Sequence, residues 1–200
     1  MAQGLLRQGS RSQRGASAGT LCGGMATIGR QELVEALTRL GELAAAQAKK
    51  VDLLLVGGGV MVLVFGTRQS TRDLDVVILP PSDAAAVRAL AATVADERGW
   101  PSDWLNDAAK GFMVGLSRGP VIFSAPGVEV FRATFEQLLA MKLCAWRDDV
   151  DIADARRLLE ELPGSYNDVW RRVAPYLQLG REMKAKYAFD DLWEDLHGAT

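Results

Sequence analysis

Val51-Asp52-Leu53-Leu54-Leu55-Val56-Gly57-Gly58-Gly59 and, further along, Thr71-Arg72-Asp73-Leu74-Asp75-Val76-Val77-Ile78-Leu79 are the stretches on which the fold turns. The first is a short apolar run that ends in three glycines. It reads as a buried strand followed by a tight turn. Val60 to Phe65 then fits a short helix closed by Gly66, and Thr67 to Arg72 fits a polar loop. Asp73 to Leu79 reads as a second buried strand, stopped by Pro80-Pro81.

Asp73 and Asp75 lie two apart on that second strand, and alternate strand residues face the same side. Their carboxylates should project together and repel each other unless a cation lies between them. A hard divalent cation suits two such oxygen donors and also binds phosphates. By itself an Asp-x-Asp pair is weak, because many such pairs line a solvated strand face. The apolar neighbours Leu74, Val76, Val77 and Ile78 place this pair on an inner strand. Gly57, Gly58 and Gly59 follow a strand and open a helix, where free N–H groups and the helix dipole favour an anion. The plain alternative is a tight turn. No Gly-Lys-Ser/Thr follows, so this is not a P-loop, and the spacing is not that of a dinucleotide fingerprint.

Outward from this centre, Leu33, Leu37, Leu40 and Ala44 recur at helical spacing and predict an amphipathic helix from Gln31 to about Lys49. Ser82 is a candidate N-cap for an alanine-rich helix from Asp83 to about Arg98, ended by Gly99-Trp100-Pro101. Trp104-Leu105-Asn106-Asp107 reads as a simple turn, with polar residues able to reach the site. Phe112–Leu116, Val121–Ser124 and Val128–Phe131 read as three short strands. Segments 134–147, 149–162, 165–178 and 181–196 are helical, separated by Asp148, Pro163-Gly164 and Gly180. The expectation is an α/β (α+β) core over 25–133, with a mixed sheet flanked by helices, and a helical region over 134–200 packed on it.

Residues 1–24 carry Gly, Ser, Gln and Arg, no acid and no periodicity. They read as a disordered extension or an over-long gene start, with Met25 fit to be the first residue; a basic targeting segment is the other reading. The chain has 200 residues and a formal net charge of −2, so no overall field draws a polyanion or membrane to it. Its two cysteines, Cys22 and Cys144, have no CxxC partner, which argues against a zinc site and fits a reducing cytoplasm. With one histidine, His197, a Ser-His-Asp triad is improbable. Chemistry must rest on carboxylates, lysine or arginine. No apolar run reaches membrane-spanning length.

Lys142 stands out among the later helices. Phe135, Leu138, Leu139 and Trp146 share one stripe, and Lys142 falls within it. An inward lysine must pair with an acid, bind a phosphate or extend to solvent. Asp151 and Asp154 on the next helix are the nearest acids. A structural ion pair and a phosphate contact are both compatible with this pattern. Trp170, Tyr176, Tyr187 and Trp193 read as helix-packing aromatics. Arg171, Arg172, Arg181, Lys184 and Lys186 read as a solvated basic face.

Strand, glycines, short helix, Arg68, Thr71 and Arg72-Asp73-Leu74-Asp75 together resemble the nucleotidyltransferase superfamily, and within it the AbiEii-like toxins of type IV toxin–antitoxin systems. The block Leu138 to Arg147, followed by Asp151 to Leu159, is similar to that group's lysine helix and the helix after it. The resemblance covers roughly 50–162. It implies a Mg²⁺ (or Mn²⁺) ion on Asp73 and Asp75, with Glu129 as the third carboxylate and metal ligand. It implies a nucleoside triphosphate held by Gly57, Gly58, Gly59, Arg68 and Thr71, with Lys142 in the catalytic set. A tRNA or protein hydroxyl would be the acceptor and a cognate antitoxin the partner. The superfamily's serine after the first glycine is absent here, since Gly58 has no hydroxyl. That motivates a second reading, a non-catalytic nucleotide-binding or protein-interaction module of the same fold.

Overall fold

The computed structural model describes residues 27–198. The expectation for residues 1–24 lies outside that range. Strand β1 (Ile28–Gly29) leads into helix α1 (Arg30–Ala46), where Glu32 reaches back to accept from the Gly29 N–H at 2.7 Å. Strand β2 (Val51–Leu55) is buried along its whole length, as a central strand should be. A helical turn, α2 (Gly58–Val60), runs directly into a wide π-helical segment, Met61–Phe65, and Gly66 closes it in the left-handed conformation. The expected polar loop contains a two-residue strand, β3 (Ser70–Thr71), antiparallel to β1.

Strand β4 (Leu74–Leu79) lies antiparallel to β2, and helix α3 (Ala84–Arg98) follows. The expected cap at Ser82 is corrected by one residue. The Asp83 carboxylate accepts from the Ala85 N–H at 2.9 Å, while the Ser82 hydroxyl accepts from the Asp52 N–H at 2.8 Å and ties the turn to β2. Strand β5 (Leu105–Asn106) sits where a simple turn was expected. It lies parallel to β4, with Asn106 opposite Asp75. Strands β6 (Arg118–Ala125) and β7 (Val128–Ala133) complete a mixed sheet in the order β5-β4-β2-β7-β6.

The expected strand Phe112–Leu116 does not form. A 3-10 segment covers Ala108–Phe112, and Gly115 turns the chain at φ 67°. Phe112 and Leu116 are exposed, so the alternation of apolar residues there has no partner strand to serve. The turn is secured by Gln137, a fully buried side chain. Its amide donates to the Val114 and Gly115 carbonyls, both at 3.1 Å, and its carbonyl accepts from the Ser117 N–H at 2.9 Å.

After the sheet come α4 (Phe135–Ala145), α5 (Asp149–Glu160), α6 (Tyr166–Val173) and α7 (Glu182–His197). Thr134, Asp148 and Ser165 cap the first three through their side chains. Helix α4 packs on α5, α6 and α7, while α1 lies against α3, β6 and β7. Trp170, Tyr176 and Trp193 pack on the core as expected, with Tyr166 joining Trp170 and Trp193 around Phe189, whereas Tyr187, expected to pack, points to solvent. Buried residues from the sheet and from all four later helices join in one core. No helix among the described residues is long and apolar enough to cross a membrane.

Candidate active site

The glycine turn and the carboxylate strand meet because β4 returns antiparallel beside β2. The Val56 N–H donates to the Asp75 carbonyl at 2.9 Å, so Asp75 lies level with the residue before the first glycine. Gly57 adopts φ 65°, a conformation that L side chains rarely accept. A Cβ there would stand 2.6 Å from Asp75 Oδ2. Gly57 is therefore required twice over: by its backbone, and by the carboxylate that occupies its side-chain space.

Asp73 and Asp75 turn to the same side. Asn106 Nδ2 donates to Asp73 Oδ2 at 3.0 Å and to Asp75 Oδ1 at 3.1 Å, which is feasible only if the two carboxylates converge. Burial, with the Asp75 charge beside it, pushes the Asp73 carboxyl above its ordinary range, while the Asn106 hydrogen bond opposes the shift.

These groups form one wall of a cavity of about 470 Å³. Gly57, Gly58, Arg68, Thr71, Arg72, Asp73 and Asp75 line that side, and Leu138, Met141, Lys142, Arg147 and Asp151 line the other. The Thr71 hydroxyl donates to the Asp73 carbonyl at 3.0 Å and so shapes the turn into the carboxylates. Gly59 is not on the wall. It is buried, and a Cβ there would stand 2.5 Å from the Leu74 side chain, so this glycine serves packing. Over Gly58 lies Arg68, whose Nη1 would be 3.0 Å from a Cβ at that position. A side chain there would press on the far end of that flexible guanidinium, which would shift by a few tenths of an ångström.

Lys142 faces inward, with both expected acids. Its Nζ donates to Asp151 Oδ1 at 2.8 Å and pairs with Asp154 Oδ2 at 2.7 Å. Asp154 also receives Nε of Arg68 at 3.0 Å and its Nη2, while Asp151 receives Nε of Arg147 at 3.0 Å. Arg68, Asp154, Lys142, Asp151 and Arg147 thus form a row of alternating charge, all but Asp154 lining the cavity. Burial opposes ionisation of Asp151, yet Arg147 and Lys142 together outweigh it and hold the carboxyl at about 2.

Glu129 is not brought to the cavity. It pairs with Lys50 at 3.2 Å and lies beside Asp52, at the opposite end of the strands. Extending the β2–β7 register by one residue puts Ala133, not Glu129, level with Val56 and Asp75. Four residues of strand separate the two positions, about 13 Å at the usual rise. Among the described residues no group of three or more His, Cys, Asp or Glu side chains is arranged to hold a metal ion. Two hard carboxylates, converged and open towards a cavity, still fit a Mg²⁺-like ion that completes its shell with water and phosphate oxygens.

Asn106 was legible only as one of the polar residues of a turn able to reach the site, not as a strand residue, because a two-residue strand is too short to show a period. The signal was Trp104-Leu105 just before it, two large apolar residues in a stretch taken for a turn; both are buried.

A mixed sheet that sets a pair of carboxylates against a glycine turn resembles the arrangement that the sequence likeness to nucleotidyltransferases leads one to expect. Residues 34–112 match the family model described as "Nucleotidyl transferase of unknown function (DUF2204)", a span that includes the glycine turn, Asp73, Asp75 and Asn106. This likeness supports the nucleotidyltransferase superfamily and a transferase. Neither the curated proteins nor the solved structures compared with the chain gave a match.

Proposed function

We propose that the protein is a Mg²⁺-dependent nucleotidyltransferase that moves a nucleoside monophosphate from a nucleoside triphosphate to a hydroxyl of tRNA or of a protein. The observation that carries this is the convergence of Asp73 and Asp75 on the Gly57 turn, with Asp75 Oδ2 in the space a Gly57 side chain would fill. Asp73 and Asp75 would hold the ion, which when bound supplies charge neutralisation at the phosphates and polarises the attacking hydroxyl. The N–H groups of Gly58 and Gly59, at the start of α2, would donate to the polyphosphate. Arg68 and Lys142, on opposite walls of the cavity, would contact phosphate oxygens from within their ion pairs with Asp154 and Asp151. The acceptor oxygen forms a bond to the α-phosphorus and gives up its proton to solvent. The bond from the α-phosphorus to the bridging oxygen breaks, and pyrophosphate leaves. Positioning and fixed charge would carry most of the acceleration.

The sequence likeness to AbiEii-like proteins extends this to a toxin with a cognate antitoxin as partner. The experiment is incubation with each α-labelled nucleoside triphosphate, Mg²⁺ and total RNA or cellular protein. Label should pass to one acceptor class, and Asp75→Ala should lower the rate by roughly a hundredfold or more. A second reading, a binding module without turnover, is favoured by the absence of a hydroxyl at Gly58 and by Ala133 at the level of a third carboxylate. Nucleotide binding with no transfer to any acceptor would decide for the module.

A further inference from the structure

We infer that Asn106 is a positioning residue that sets the spacing of the Asp73 and Asp75 carboxylates for a divalent cation. The inference rests on the reading of those two acids as the metal ligands. Asn106 is held from three directions. Its strand pairs with β4 in a register that puts it opposite Asp75. The Leu74 N–H donates to the Trp104 carbonyl at 2.7 Å, and the fully buried Trp104 ring donates from Nε1 to the Ala91 carbonyl of α3 at 2.9 Å. On the other side Asp107 is bonded to Arg88 and Lys110. The amide cannot be reversed without loss, because the Ala108 N–H donates to Asn106 Oδ1 at 3.1 Å. That bond points Nδ2, with its two hydrogens, at the acids.

Two neighbouring carboxylates repel when ionised and would spread apart. A neutral donor with one hydrogen for each acid holds them together without adding a cation that would exclude a metal ion. It engages Asp73 Oδ2 and Asp75 Oδ1. The other oxygen of each acid is left for a ligand, and in Asp75 that oxygen is the one turned to Gly57. Hydrogen-bond partners of ligating carboxylates typically change metal affinity by roughly 10- to 100-fold when removed.

The test is Mn²⁺ binding to the full chain, followed by electron paramagnetic resonance, for the wild type, Asn106→Ala, Asn106→Ser and Asp75→Ala. Asn106→Ala should weaken Mn²⁺ by about tenfold or more. A serine hydroxyl can still accept the Ala108 N–H and offers one hydrogen, so Asn106→Ser should fall between wild type and Asn106→Ala. Far-ultraviolet melting checks that the variants fold. Wild-type affinity in a folded Asn106→Ala or Asn106→Ser variant overturns the inference and leaves the metal reading standing. A wild-type chain that binds no Mn²⁺, or Asp75→Ala that binds it equally well, overturns the metal reading and this inference with it.

Discussion

At the scale of single residues, Gly57 and Gly58 are neighbours with different reasons to be glycine. Gly57 combines φ 65° with a Cβ position 2.6 Å from Asp75 Oδ2. Gly58 has an ordinary φ, and its Cβ would meet only the end of the flexible Arg68 side chain at 3.0 Å. Gly57→Ala should therefore cost about 1–3 kcal/mol of stability, and Gly58→Ala less than about 1 kcal/mol. Urea unfolding of the two variants beside the wild type measures both, and equal costs would contradict this account. The pair Asp73 and Asp75 was legible in the sequence because a strand has a period of two. Glu129 shows what that period cannot give. Val128-Glu129-Val130 reads correctly as strand, but which end of the strand meets the glycine turn is set by register with β2, a property of two segments far apart in the chain.

At the scale of elements, the junction of α4 and α5 is built on charge. Lys142 was legible as an inward lysine from its place in an apolar stripe, and both acids that neutralise it lie on α5, as the spacing suggested. What the sequence could not show is that Arg68, from the segment before β3, joins the same row through Asp154. The Asp151 carboxyl, at about 2 in the folded chain, lies below its ordinary 3.8. The group thus contributes stability that is fully present above about pH 5 and is lost as the pH falls through 4 towards 2. The contribution is roughly 2 kcal/mol. Denaturant midpoints for the wild type and Asp151→Asn at pH 7 and pH 3 should show a smaller acid loss in the variant. Parallel losses would place the acid sensitivity elsewhere. The missed strand β5 and the false strand at Phe112–Leu116 share a cause. Local alternation marks apolar surface, but only a partner strand makes a ladder, and β4 offers its free edge to Leu105–Asn106 alone.

At the scale of the whole molecule, the cavity is a joint product of sheet and helices. The sheet and its turns bring Gly57, Arg68, Asp73 and Asp75, and α4 with α5 and the turn between them brings Lys142, Arg147 and Asp151. The matched family span ends at residue 112, so half of the wall lies beyond it. Fold class and the order of helices followed from composition and periodicity. The way the helices close over the sheet end did not, because it depends on packing between segments that carry no local mark of one another. Ala133 carries one more consequence. On the proposed metal reading, a methyl group stands at the station where another anionic side chain could have joined the pair, so among the described residues Asp73 and Asp75 would hold one ion at this place. On that reading a companion ion would arrive with the nucleotide, on its own oxygens. Counting bound Mn²⁺ should give a stoichiometry near one without nucleotide and a higher one with a non-hydrolysable analogue, and two ions on the bare chain would contradict it.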